Sequence, residues 1–160
     1  MRKVWRLALT LLVLASCSKG NKEVSTAELK DITPKGSHNL LIVESESCIY
    51  CKQLDKDMQK DERIKTALSG INVYKLNYDS NAKVRYKLEG KEGTTEENSL
   101  ARMLGVNSFP YLIFYDKEGK VILSIPGYVE PKTLACLLDY IKKDRYQDTK
   151  LQEYLKRECT

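Results

Sequence analysis

Residues 40–52 read Leu-Leu-Ile-Val-Glu-Ser-Glu-Ser-Cys-Ile-Tyr-Cys-Lys, and the fold turns on them. Leu40 to Val43 is a continuous apolar run, the pattern of a central strand buried on both faces. From Cys48 the period changes. Cys51, Leu54 and Met58 fall on one helical face, with Lys52, Gln53, Lys56 and Asp57 elsewhere. A buried strand therefore runs into a helix that opens with a C-x-x-C pair, Cys48 and Cys51. The helix is expected to falter near Asp61, resume through Ile64 and Leu68, and stop at Gly70. Ile71 to Tyr78 reads as a second strand, which makes a β-α-β unit with parallel strands and a right-handed connection.

Working outward, Lys83-Val-Arg-Tyr-Lys-Leu88 alternates polar and apolar residues before Gly90-Lys-Glu-Gly93, an amphipathic strand or hairpin at the domain's edge. Thr94-Thr-Glu-Glu97 has capping-box spacing and predicts a helix start, with the helix closing at Leu104-Gly105. Phe109 to Tyr115 is a strand, Asp116 to Gly119 a turn, and Val121 to Ile125 its hairpin partner. Pro131 opens a helix whose Leu134, Leu137, Leu138 and Ile141 cover the sheet, and a short helix around Leu151 to Leu155 follows. Toward the front, Ser25-Thr-Ala-Glu28 has the same capping spacing and predicts a short helix ending before Pro34. No internal repeat or second domain is visible.

The 160 residues, 42% hydrophobic and 31% charged, suit one packed domain and argue against wholesale disorder. Residues 1–16 contain Arg2, Lys3 and Arg6 and no acid; the rest carries 24 basic against 22 acidic side chains. So slight an excess predicts neither nucleic-acid binding nor a polybasic membrane patch. A single histidine, His38, makes a histidine-dependent catalytic triad or a histidine-rich metal site improbable.

The first segment reads as an address. A basic start is followed by Leu7 to Ala15, nine residues too apolar for a loop and too short for a mature membrane span. It ends Leu14-Ala-Ser-Cys17, similar to the lipobox of bacterial lipoproteins, in which the cysteine becomes the lipidated first residue. An ordinary signal peptide with an incidental cysteine is the alternative. The expected organisation is a signal peptide over 1–16, lipidated Cys17 with a flexible tether over 17–24, and one domain over 25–160. Export places that domain on the periplasmic side of a bacterial membrane, where disulfide chemistry is permitted.

The chemistry sits at Cys48 and Cys51. A thiol at a helix N-terminus faces free N–H groups and the positive end of the dipole, which favour the thiolate. Cys51 is one helical turn on, more buried, and within reach of the first sulfur. Cys48 would attack a disulfide and Cys51 would resolve the mixed disulfide. A zinc half-site would need further ligands from His38, Cys136 and Cys159, which have no recognisable spacing. Inert core thiols and a purely structural bridge are the other competing readings.

Strand, C-x-x-C-Lys, helix, then Tyr74 to Asp79, then Gly105-Val-Asn-Ser-Phe-Pro110-Tyr to Asp116, resembles the thioredoxin fold in motif order from about Leu40 to Ile141. The closest resemblance is to exported thioredoxin-like lipoproteins of the SoxW type, including the insertion before Thr95 and the tail from Gly127 to Leu155. The resemblance implies an α/β fold, a central mixed sheet with flanking helices, an edge hairpin insertion and an extra C-terminal helix. It implies that Pro110 is cis and faces the cysteines, and that Phe109 exposes backbone to an extended substrate. Where many relatives have Thr-Pro-Thr this chain has Phe109-Pro110-Tyr111, which leans toward apolar segments. The implied activity is thiol–disulfide exchange, reductive in direction, on exported disulfide-containing proteins. A membrane electron-transfer protein would recharge a monomer that needs no cofactor, metal or nucleic acid. An oxidase or isomerase, and a non-catalytic binding or chaperone lipoprotein, are the alternatives.

The resemblance also marks departures. Thioredoxins carry a buried aspartate six residues before the first cysteine, and here that residue is Ile42; their tryptophan before the cysteine is Ser47. The nearby lysine is retained as Lys75. By strand alternation Glu44 shares the face of Ile42. Glu44 is then either a solvated strand-end glutamate, the commoner case, or the group that exchanges a proton with Cys51 beside Lys75. Cys136 reads as a buried inert thiol by default and Cys159 as exposed; a bridge between them is the less expected alternative.

Overall fold

A computed structural model describes residues 29–159. In chain order the elements are β1 (Lys30–Asp31), β2 (Asn39–Glu44), α1 (Ile49–Lys60), α2 (Glu62–Leu68), β3 (Asn72–Asn77), β4 (Lys83–Leu88) and β5 (Lys91–Glu96). There follow α3 (Glu97–Met103), β6 (Tyr111–Tyr115), β7 (Val121–Pro126), α4 (Pro131–Lys142), a 3-10 turn (Arg145–Gln147) and α5 (Leu151–Glu158).

The apolar run of β2 does what a doubly buried strand must. Leu40 and Ile42 point into one core with Leu54, Ile64, Leu134, Leu138 and Ile141. Leu41 and Val43 point into the other with Val84, Tyr86, Leu88, Leu100 and Ala101. Helices α1, α2, α4 and α5 thus lie on one side of the sheet, and the β4–β5 hairpin with α3 on the other. The four-stranded sheet runs β3-β2-β6-β7. Its β2–β3 pair is parallel, and the β2–β6 and β6–β7 pairs are antiparallel. The thioredoxin fold expected from the motif order is present.

The expected hairpin forms, with Val84, Tyr86 and Leu88 buried and Lys83, Arg85 and Lys87 exposed. It belongs to a sheet of its own, ordered β1-β4-β5. Two helix starts are corrected. Lys30–Asp31, assigned to a short helix, is a strand parallel to β4, with Lys30 opposite Val84; residues 25–28 lie outside the described residues, as do Cys17 and the leader and tether. Thr94 and Thr95 belong to β5 opposite Arg85 and Val84. Helix α3 begins only at Glu97, whose buried carboxylate is engaged by Lys30 Nζ at 2.7 Å and the Asn77 N–H at 2.6 Å. A carboxylate occupied by two distant donors does not close a capping box.

The interruption near Asp61 has a simple cause. Asp61 caps the end of α1 through its N–H to the Asp57 carbonyl, 2.8 Å. It also opens α2, its carboxylate accepting from the Arg63 N–H at 2.9 Å and the Ile64 N–H at 3.4 Å.

Cys136 is not a free thiol. It forms a disulfide with Cys159, their Cα atoms 5.9 Å apart. Helix α5 folds back on α4, with Tyr154 buried and its ring 4.9 Å from that of Tyr140, and this return brings the cysteines together. Tyr74, Tyr78, Tyr86, Tyr111 and Tyr115 pack in or against the second core; the Tyr74 and Tyr115 hydroxyls donate to the Thr33 and Ile32 carbonyls.

Candidate active site

Strand β2 ends at Glu44, and a turn closed by the Cys48 N–H to the Ser45 carbonyl, 3.1 Å, delivers the chain to α1. The turn is held by Asp79, whose carboxylate accepts from the Ser45 hydroxyl and the Glu46 N–H, both at 2.8 Å. These donors hold the Asp79 carboxyl below its usual range. Cys48 is the N-cap of α1 with extended backbone, and its Sγ accepts the Cys51 N–H at 3.0 Å. Its sulfur therefore sits at the helix N-terminus and takes up one of the first-turn amides, as the sequence pattern requires. Cys51 faces inward at 4% exposure. The two are joined as a disulfide, Cα atoms 5.3 Å apart. This is the oxidised form of a dithiol centre.

Between the two cysteines stand two large exposed hydrophobic side chains. Ile49 and Tyr50 are 70% and 56% exposed. Tyr50 stacks on Tyr128 with ring centroids 5.8 Å apart. The Tyr128 hydroxyl donates to the Asp57 carboxylate at 2.6 Å, and that bond pushes its pKa up to about 12. Phe109 meets the edge of Tyr78 at 5.0 Å, and the Arg102 guanidinium lies over the Tyr78 ring. The Phe109–Pro110 bond is cis, as expected, and Pro110 is buried. Its carbonyl accepts the Gly127 N–H at 2.8 Å, joining the proline loop to the loop that carries Tyr128.

A charged cluster joins the end of β2 to β3 and α1. Glu44, at the end of β2 with its side chain 21% exposed, accepts from Lys75 Nζ at 2.8 Å. Ile42, at the position of the missing aspartate, is fully buried in the apolar core. Lys75, directly opposite Ile42 in the parallel register, also pairs with Asp55. Asp55 was not singled out by sequence reading; its place one turn after Cys51 was the available signal. Burial pushes the Glu44 carboxyl up, Lys75 works against that, and Asp55 reinforces it. Lys75 is held above its usual value by the two carboxylates against the opposing effect of burial. Among the described residues no cluster of side chains is suited to a metal ion, and no helix is long and apolar enough to cross a membrane.

A family model described as a thioredoxin-like domain matches residues 26–142. No curated protein matches the chain. Among solved structures, a thioredoxin-fold protein from Helicobacter pylori is 27% identical at a TM-score of 0.72, covering 83% of this chain and 86% of that one. The thioredoxin Mala s 13 of Malassezia sympodialis is 18% identical at 0.47, covering 68% and 77% of the respective chains. An N21Q mutant thioredoxin from Halobacterium salinarum NRC-1 is 18% identical at 0.48, covering 69% and 79%.

Proposed function

The chain belongs to the thioredoxin-like domain family, and from that premise we propose that it is an exported, lipid-anchored protein-disulfide reductase of the SoxW type. The observation that carries the reading is the Cys48 sulfur capping α1 over a buried Cys51. The fold and the cysteine pair are those of a thiol–disulfide oxidoreductase.

In the reduced enzyme the Cys48 thiolate attacks one sulfur of a substrate disulfide; the other leaves as a thiolate and takes a proton from water. The Cys51 thiol passes its proton to the Glu44 carboxylate beside Lys75, and the Cys51 thiolate attacks the Cys48 sulfur. The second substrate thiolate departs, and two electrons have moved from enzyme to substrate. A membrane electron-transfer protein carrying its own dithiol returns the Cys48–Cys51 disulfide to the reduced form. Phe109 and Pro110 line the substrate face, where an extended segment pairs with backbone. The exposed Ile49, Tyr50 and the Phe109-Pro110-Tyr111 stretch support apolar substrates flanking the disulfide. No cofactor takes part.

Insulin-disulfide reduction by dithiothreitol tests the class: wild type accelerates it and Cys48→Ser does not. A Cys48→Ser variant as active as wild type overturns the enzyme reading. A glutathione titration then tests direction, because reducing and oxidising members of such folds differ by about 100 mV or more.

A further inference from the structure

In the reading above Glu44 must be a good proton acceptor while lying 2.8 Å from an ammonium, which by itself would hold it charged and make it a poor one. Asp55 alters that balance. It comes from the helix of Cys51, one turn after the resolving cysteine, and reaches the same Lys75 Nζ from the other side. Two carboxylates, from β2 and α1, thus share one ammonium from β3, and the cluster carries one surplus negative charge.

We propose that Asp55 is a positioning residue for proton transfer from Cys51: by occupying Lys75 it leaves Glu44 only part of the ammonium and keeps that carboxylate basic. The inference rests on the reductase reading and adds a residue to it. Lys75 and Asp55 are the charged groups that bear on Glu44; its other strand neighbour, β6, brings the apolar Leu112 and the uncharged phenol Tyr111 to this end. The electrostatics run the same way, since Lys75 lowers and Asp55 raises the proton affinity of the half-buried glutamate. The step balances without a further reactant: the Cys51 S–H bond breaks, the Glu44 O–H bond forms, and the proton leaves to solvent after exchange.

The geometry makes an uncommon demand, namely opposite effects from two partners of one base. Removing Asp55 gives Lys75 wholly to Glu44, so the base weakens; removing Lys75 strips the ammonium, so the base strengthens. A purely structural role for Asp55 would produce no such pair of opposite shifts.

The experiment loads Cys48 with thionitrobenzoate and follows release of the coloured thiolate as Cys51 resolves the mixed disulfide, between about pH 5 and pH 8. Glu44→Gln is expected to slow release about a hundredfold, in the range of general-base effects. Asp55→Asn should slow it about threefold to tenfold and move the acid limb to lower pH, and Lys75→Met should move that limb to higher pH. Asp55→Glu should restore the wild-type profile. If Asp55→Asn and a second variant, Asp55→Ser, keep the wild-type profile while Glu44→Gln is slow, the assignment to Asp55 falls and the base stands. If Glu44→Gln matches wild type, the base falls and Asp55 with it. If Cys51→Ser still releases the thiolate at the wild-type rate, the resolving chemistry itself is wrong.

Discussion

The Tyr128 hydroxyl donates to the Asp57 carboxylate across 2.6 Å, fastening the loop after β7 to the flank of α1. The same ring lies under Tyr50, so one hydrogen bond sets the height of the aromatic surface beside Cys48. Asp57→Asn should bring the Tyr128 hydroxyl down from about 12 toward the ordinary tyrosine value, readable by ultraviolet titration. The sign follows from a raised folded-state pKa: the stabilisation is complete below the ordinary pKa and is lost as pH rises through about 12.

If the Tyr50–Tyr128 surface contacts substrate, Tyr50→Ala should raise KM for a disulfide flanked by aromatic residues about fivefold to tenfold, as loss of an exposed aromatic anchor typically does. Alkylation of reduced Cys48 by iodoacetamide should proceed at the wild-type rate. A fall in alkylation rate would mean that the substitution disturbs the thiol and not the docking surface.

The Cys136–Cys159 bridge closes a separation of 23 residues and pins the last helix. Replacing both cysteines by alanine should lower unfolding free energy by about 3 kcal/mol through the regained freedom of the unfolded chain. Urea denaturation measures it, and insulin reduction by the same variant should be unchanged, because the bridge is remote from α1's N-terminus.

Asp61 links two helices, and its carboxyl is pulled to about 2 chiefly by the Arg63 guanidinium, with the Arg63 and Ile64 amides adding to it. A depressed folded-state pKa stabilises above the unfolded value of about 4 and is lost as pH falls toward 2. Asp61→Asn keeps a capping oxygen and loses the charge. Its urea midpoint should therefore fall below wild type at neutral pH and converge with it in acid.

Cys17 is expected to carry the lipid. Metabolic labelling with radioactive palmitate in a bacterial host should tag the wild-type chain, and Cys17→Ser should abolish the label and release the protein from membranes. Label retained by Cys17→Ser would remove the lipoprotein reading and leave the dithiol chemistry untouched.

Much of this was legible in the residues. The run Leu40 to Val43 reports a strand buried on both sides because alternate side chains have no polar face to offer, and it divides between the two cores as it must. Cys48 at the strand–helix junction and the β4–β5 hairpin are encoded in local spacing, whereas the cis Pro110 is implied by the resemblance to thioredoxins and precedes a strand that starts at Tyr111 rather than Phe109. Other features were not. Thr94 to Glu97 carries a valid capping pattern, but the ladder from Arg85 to Thr94 and the two donors on Glu97 claim those residues first. A two-residue strand such as Lys30–Asp31 has no period to read.

The sequence alone determined the local chemistry: a sulfur at a helix cap, a second one turn behind it, a missing aspartate at Ile42. Local periodicity suffices for the two sulfurs, because neighbours along the chain are neighbours on a helix or a strand; the missing aspartate is read from the resemblance to thioredoxins. Only tertiary structure decided that Lys75 would be shared by Glu44 and Asp55, residues 31 and 20 positions away, and that Cys159 would return to Cys136. Both depend on strand register and on how one helix packs on another. Those are properties of the assembled core, and no short window of residues contains them.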